Sequence, residues 1–184
     1  MVELKAFDFK NVQTHFKWNN DEELNFYDSD YPHQVESFES FLHRVKNEVR
    51  ENPSTELLEI HSDNNELIGV IDIHDIDQYN LRCTLECTIG NKMYWRQGYG
   101  REAMVKSLNY CFETLKMNKV ITAAFDFNEP WISLVEKIGF KKEGVLRQHT
   151  FKKDRFHDKL LFGMIRSEYN EVMKANYEKQ AMIS

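Results

Sequence analysis

The chain has 184 residues, 41% of them hydrophobic and 13% aromatic, with 24 Lys and Arg against 30 Asp and Glu for a net charge of −6. This suits one folded domain over residues 1–184, with a core over about 1–166 and a polar, helix-prone tail over about 167–184, and it argues against disorder. The acidic balance argues against a nucleic-acid partner, and no stretch approaches the ~18 apolar residues that span a bilayer. Met1–Lys5 lacks a basic-then-apolar signal pattern, so a cytoplasmic location without membrane association is expected.

Leu4–Phe9 alternates and predicts a first strand, and Asn11–Asn19 a short helix. Asp28–Pro32 reads as a loop. From Gln34 to Arg50, Val35, Phe38, Phe41, Leu42, Val45 and Val49 form a helical stripe that Asn52-Pro53 ends. Glu56–His61, Leu67–Ile76 and the alternating Leu81–Ile89 predict an antiparallel meander. Gly98–Lys116 then carries Met104, Val105, Leu108, Cys111, Phe112 and Leu115 on one helical face. Lys119–Phe125 is a strand. Pro130 opens a helix and Gly139 closes it. Phe140–Thr150 and Phe156–Ile165 complete a hairpin. The order is α+β, with one βαβ unit at its centre.

Cys83, Cys87 and Cys111 form no CxxC pair and leave an odd thiol, so neither a disulfide scaffold nor a metal site is expected. Two of them fall on the apolar face of a predicted strand and read as core. Charge is unevenly placed. Residues Asn19–Glu66 hold 13 acids against 3 bases, and Lys137–Lys159 hold 8 bases against 3 acids. These halves are either solvated faces or sites for a cationic and an anionic ligand.

Arg96-Gln97-Gly98-Tyr99-Gly100-Arg101-Glu102-Ala103 joins a strand region to a helix. Glycines there allow a tight turn, and free N–H groups at a helix start favour a phosphate. Gly98, Gly100 and Ala103 also satisfy a dinucleotide fingerprint, with Asp126 as its acidic partner. That reading fails on context. The loop follows an antiparallel meander, Asp126 lies too far from it, and too little chain remains for a doubly wound sheet.

The segment Ile89–Ala103, then Asn128, then Glu136-Lys137-Ile138-Gly139-Phe140 and Glu143-Gly144, and last Asp158, resembles the GNAT superfamily of acyl-CoA-dependent N-acetyltransferases. Its RimJ/RimL-like branch, which includes protein N-terminal and spermidine acetyltransferases, is the most similar. The resemblance is specific over about Cys83–Tyr169. It implies a GNAT fold with a mostly antiparallel, centrally splayed sheet flanked by helices. It also implies acetyl-CoA in the gap, held by the backbone of the strand ending near Ile89, with the Ile89 N–H on the acetyl oxygen. Arg96, Gln97, Gly98, Tyr99, Gly100 and Arg101 would cradle the pyrophosphate, and Asn128 would lie near the pantetheine or cap the following helix. A dimer is expected by the same analogy.

Acetyl transfer needs a neutral amine, a polarised carbonyl and a stabilised leaving thiolate. Glu86 shares a strand face with Thr84 and Thr88, opposite Cys83, Leu85, Cys87 and Ile89, and is the candidate general base, with Asp72 and His74 as alternatives. Asp158 either meets a substrate or fixes a loop. Relatives that place a tyrosine near the sulfur as general acid have Val135 at that position here, and Trp95 and Trp131 replace smaller or polar residues. The expected reaction is acetylation of a small cationic amine such as a polyamine or aminoglycoside. A protein or peptide N-terminus and a non-catalytic acyl-CoA-binding module are the alternatives.

Overall fold

The computed structural model describes residues 1–181, with side chains through Lys174; residues 182–184 of the expected helical tail lie outside it. Strand β1 (Glu3–Ala6) leads through a short turn into α1 (Val12–Asn19), α2 (Glu22–Asp28) and α3 (Phe38–Arg50). The meander β2 (Glu56–His61), β3 (Leu67–Asp77) and β4 (Arg82–Thr88) follows. Helix α4 (Tyr99–Asn109) crosses to β5 (Lys119–Phe125), and α5 (Glu129–Ile138) leads to the hairpin β6 (Lys141–Lys152) and β7 (Arg155–Ile165). Helix α6 (Arg166–Ala181) ends the described chain. The seven strands form one sheet in the order β1-β2-β3-β4-β5-β7-β6. Only β4 and β5 pair in parallel, as the βαβ connection requires.

Strand alternation divides the sheet's contacts between two faces. Leu58 and Ile60 of β2, Ile71 and Ile73 of β3, and Cys83 and Leu85 of β4 join α4 and α5 in the main core. The residues between them point the other way, where Leu57 meets a second cluster built by α1 and α3 around Val12, Phe41 and Val45. Trp18 of α1 packs so closely on Gly90 that a Cβ there would lie 2.1 Å from the indole. The first turns of α6 are docked, with Tyr169 stacked on Phe112 at 4.5 Å.

The β4–β5 ladder is short. It comprises Arg82–Lys119, Cys83–Val120 and Thr84–Ile121, after which both strands continue but diverge. Two indoles occupy carbonyls at the divergence. Trp131 Nε1 donates to the Ala123 carbonyl at 3.0 Å and Trp95 Nε1 to the Ile89 carbonyl at 2.7 Å. Each satisfies an acceptor beside the gap, which offsets the cost of leaving the strands unpaired.

Two elements differ from the sequence reading. Helix α2 occupies part of a stretch in which only a loop beginning at Asp28 was expected. Asp21 caps it through the N–H groups of Glu23 and Leu24, and Glu22 and Glu23 complement its N-terminal dipole. The long helix expected over Gly98–Lys116 stops at Asn109 and widens into a π-turn over Tyr110–Thr114, closed by Leu115 N–H on the Tyr110 carbonyl at 3.0 Å.

Candidate active site

The divergence of β4 and β5 opens a cleft of about 380 Å³ on the α4/α5 side of the sheet. Its walls are Glu86–Thr88 of β4 with Ile89 just beyond it, Thr122–Phe125 of β5 and the α5 residues Pro130, Trp131 and Leu134. Its mouth is Arg96, Gly98, Gly100 and Arg101. Gly98 caps α4 with φ +90, a left-handed conformation that favours glycine. Arg96 holds φ 59 without being glycine, a strained geometry of the kind found where a loop is shaped for a ligand. The first turn of α4 therefore presents backbone N–H groups and two guanidinium groups at one end of an otherwise apolar slot. The acetyl-CoA implied by the resemblance fits this slot: Arg96, Arg101 and the start of α4 suit its phosphates, and the unpaired inner edges of β4 and β5 suit its amide-bearing arm.

A second cavity of about 580 Å³ lies on the α1–α3 side and includes His15, Trp18, Arg44, Glu48, Asp72 and Glu86. The two cavities share Leu24, Asp28, Glu86 and Thr88. A molecule in one can thus meet a molecule in the other through the splay. The junction is acidic. Asp28, the last residue of α2, faces the shared space and accepts a long hydrogen bond from the Thr88 hydroxyl at 3.4 Å. Protein packed around its carboxyl raises its pKa to about 6, and the neighbouring Glu86 carboxylate adds to the shift. Burial raises Asp72 further, to about 7, with Glu86, Glu48 and Asp28 contributing like charge. One Asp72 carboxylate oxygen has no hydrogen-bond partner among the described residues.

Glu86 lies between these groups on the face predicted for it, 3.7 Å from His74 Nε2. That contact raises the His74 pKa to about 9 against the effect of burial, and Asp72, Glu86 and Asp75 add to the rise. His74 is therefore a cation at neutral pH and orients Glu86 rather than serving as a free base. Asp72 keeps its place in the acceptor-side cavity.

The other expected site residues fall into three groups. Ile89, Arg96, Gly98, Gly100, Arg101 and Asn128 line the cleft. Asn128 also caps α5, its side chain accepting from Trp131 N–H at 3.3 Å, so both roles considered for it coexist. Gln97 and Tyr99 are not part of the cleft lining. The Gln97 amide turns back to the Met93 carbonyl, and the Tyr99 ring packs edge-on against Tyr94, leaving only their backbone to serve a phosphate. Asp158 fixes a loop: its carboxylate accepts the Gln148 N–H at 2.8 Å where β6 departs from its register with β7. Val135 is fully buried and absent from the cleft, so the α5 position at which relatives carry a tyrosine supplies no acid here. Trp95 and Trp131 wall the cleft without closing it.

Sequence reasoning did not single out Asp28 as a reacting group, because its closeness to Glu86 depends on how α2 packs across the sheet. The D-E-E run at Asp21–Glu23 is an N-terminal helix signal that could have located α2 itself.

Comparison with known proteins places this geometry. A family model described as "Acetyltransferase (GNAT) domain" matches residues 2–141. YokL, an SPbeta prophage-derived N-acetyltransferase of Bacillus subtilis strain 168, is 36% identical over 110 residues, 60% of this chain and 61% of YokL. The match thus spans only about three fifths of that relative's length. The putative ribosomal N-acetyltransferase YdaF of the same strain is 30% identical over 103 residues, 56% of each chain. A crystal structure of Vibrio cholerae spermidine N-acetyltransferase in complex with CoA and spermine superposes with a TM-score of 0.84 at 21% identity, covering 91% of this chain and 97% of that one. At that identity the likeness speaks for the fold alone. With the family model spanning most of the chain and the splayed sheet beneath it, the protein belongs to the GNAT acetyltransferase family.

Proposed function

We propose that this protein is an acetyl-CoA-dependent N-acetyltransferase whose acceptor is a small, multiply charged amine of the polyamine class. The observation that carries this reading is the meeting of the two cavities at Asp28, Glu86 and Thr88, with carboxylates concentrated on the acceptor side. Acetyl-CoA would supply an activated acetyl group through its thioester. The chain's own residues would do the rest. Arg96, Arg101 and the N-terminus of α4 would anchor the phosphates, and the β4 backbone near Ile89 would hold the acetyl oxygen. Asp28 and Glu86 would draw the ammonium into the junction and take a proton from it, since the amine attacks only when neutral. Positioning by the two walls would contribute much of the remaining rate.

The names of similar proteins support both an amine and a protein acceptor: the Vibrio cholerae structure is a spermidine acetyltransferase and YdaF a putative ribosomal one. The clustered carboxylates lining the acceptor-side cavity favour the amine. A flexible polycation can place a second ammonium near Asp72, whereas a peptide N-terminus offers a single charge to the same cavity. A catalytically silent acyl-CoA-binding module would bind the donor without turnover. A homo-oligomer is supported by the exposed hydrophobic side chains Val145, Leu146, Phe151 and Phe156 on the terminal hairpin.

Thiol release should be followed with spermidine, an aminoglycoside, free amino acids and short peptides, each at low and high salt. The expected result is turnover of the polyamine with a KM that rises with salt. Turnover confined to peptides, without salt dependence, would favour the N-terminal acetyltransferase, and tight acetyl-CoA binding without any turnover would favour the module.

A further inference from the structure

Thr122 is fully buried, and its Oγ1 has no hydrogen-bond partner among the described residues. It lines the cleft and is the first β5 residue beyond the last β4–β5 pair, so it stands at the apex of the splay. The register also fixes its direction. Ile121 pairs with Thr84 and Val120 with Cys83, so Thr122 shares the α4/α5 face with Val120, Cys83 and Leu85. Leu85 is level with Thr122 on β4, and Glu86, one residue further on, points to the opposite face. A reacting centre lodged in the apex would therefore have the carboxylates on one side and the Thr122 hydroxyl on the other.

A valine would fill the same volume beside Val120 and Ala124, so the hydroxyl is what needs a reason. The other hydroxyls lining the cleft are differently placed. Tyr94 donates to Glu66 at 2.6 Å, Thr88 donates to Asp28, and Tyr27 is exposed. With Val135 at the tyrosine position, no other hydroxyl combines full burial in the cleft with a free donor.

We propose that the Thr122 hydroxyl is the donor that receives the sulfur of the acyl-CoA. This rests on the acetyl-CoA reading above. The amine nitrogen, once the carboxylates at the junction have taken its proton, bonds to the acetyl carbon. The carbon–sulfur bond breaks and its electron pair goes to sulfur, where Thr122 O–H donates a hydrogen bond without losing its proton. Of the two protons that the ammonium gives up, one ends on sulfur by way of water and the other in solvent.

The test compares calorimetric binding of CoA and desulfo-CoA, which lacks the sulfur, to wild-type protein, Thr122→Val and Thr122→Ser. Wild-type protein and Thr122→Ser should bind CoA about three- to tenfold more tightly than desulfo-CoA, the range one neutral hydrogen bond supplies. Thr122→Val should bind the two equally, and its ligand-free melting temperature should be unchanged or higher because a buried, unpaired hydroxyl has been removed. Its kcat with acetyl-CoA should fall about tenfold or more, since a developing thiolate is a stronger acceptor than a thiol. A preference for CoA that survives in Thr122→Val would overturn the assignment while leaving the acetyl-CoA reading intact. So would a ligand-free Thr122→Val that melts markedly lower, because the hydroxyl would then have a partner within the protein. Failure of wild-type protein to bind either ligand would overturn the acetyl-CoA reading and this assignment together.

Discussion

Binding of a polyamine should expel protons from the acceptor pocket, and the number can be worked from the structure. Asp72 has a pKa of about 7 and Asp28 of about 6 in the ligand-free protein. At pH 6.5 Asp72 is then about three quarters protonated and Asp28 about one quarter. A bound ammonium lowers both pKa values by direct attraction, so nearly all of this proton leaves. The polyamine enters fully protonated at that pH and takes up none. Release should therefore be about one proton per polyamine at pH 6.5 and about one tenth at pH 8. Titration calorimetry of the CoA-loaded protein, repeated in buffers of different ionisation enthalpy, reads this number directly. Asp72→Asn should cut the pH 6.5 value to about one quarter, the share left to Asp28. The same variant should be more stable than wild type at pH 8. A carboxyl whose pKa is raised on folding from 3.8 to about 7 binds more protons folded than unfolded, so stability falls as pH rises through that window. Proton uptake, or a release independent of pH between 6.5 and 8, would refute the placement of the ammonium beside these carboxylates.

Other outcomes follow from single contacts. Glu86→Gln should lower kcat/KM and bring the His74 pKa down from about 9 by removing its main partner, which NMR titration of the imidazole would detect. Glu59 is 1% exposed, receives hydrogen bonds from Asp8 N–H and Asn11 Nδ2, contacts the rings of His15 and His61, and is held at about 2 by these partners. Its contribution is present above its ordinary value of 4.5 and lost as pH falls toward 2, so Glu59→Ala should cost about 3–5 kcal/mol in urea unfolding at pH 7 and less in acid. Gly90→Ala would drive a methyl into Trp18 and should cost about 1–3 kcal/mol, measured by melting.

The order of strands and helices, the βαβ centre and the face on which Glu86 lies were legible along the chain, because alternation, helical stripes and the Asn128, Pro130 and Gly139 punctuation are local effects of backbone geometry. The loop at Gly98 was legible for the same reason: a left-handed turn before a helix favours glycine. Helix α2 was missed although Asp21-Glu22-Glu23 carried its start signal, since so short an element lacks the repeated apolar stripe that marks α3.

The chemistry of the site was less accessible. Nothing in the local sequence brings Asp28 of α2 against Glu86 of β4, 58 residues away, or distinguishes Asp72 from a solvated strand carboxylate. Their raised pKa values depend on desolvation and like charge summed over atoms that only packing brings together. Likewise, a threonine in a strand reads as ordinary β-propensity, and only the early end of the β4–β5 ladder leaves the Thr122 hydroxyl buried and unpaired in the cleft. Short-range periodicity thus carried the order of the strands and of the longer helices and the face each strand residue takes, but neither α2 nor the π-turn that ends α4. The tertiary structure alone decided which carboxylates meet, which carbonyls the two indoles satisfy and where an unpaired donor remains, because electrostatics and hydrogen-bond satisfaction depend on distances that the chain spacing does not encode.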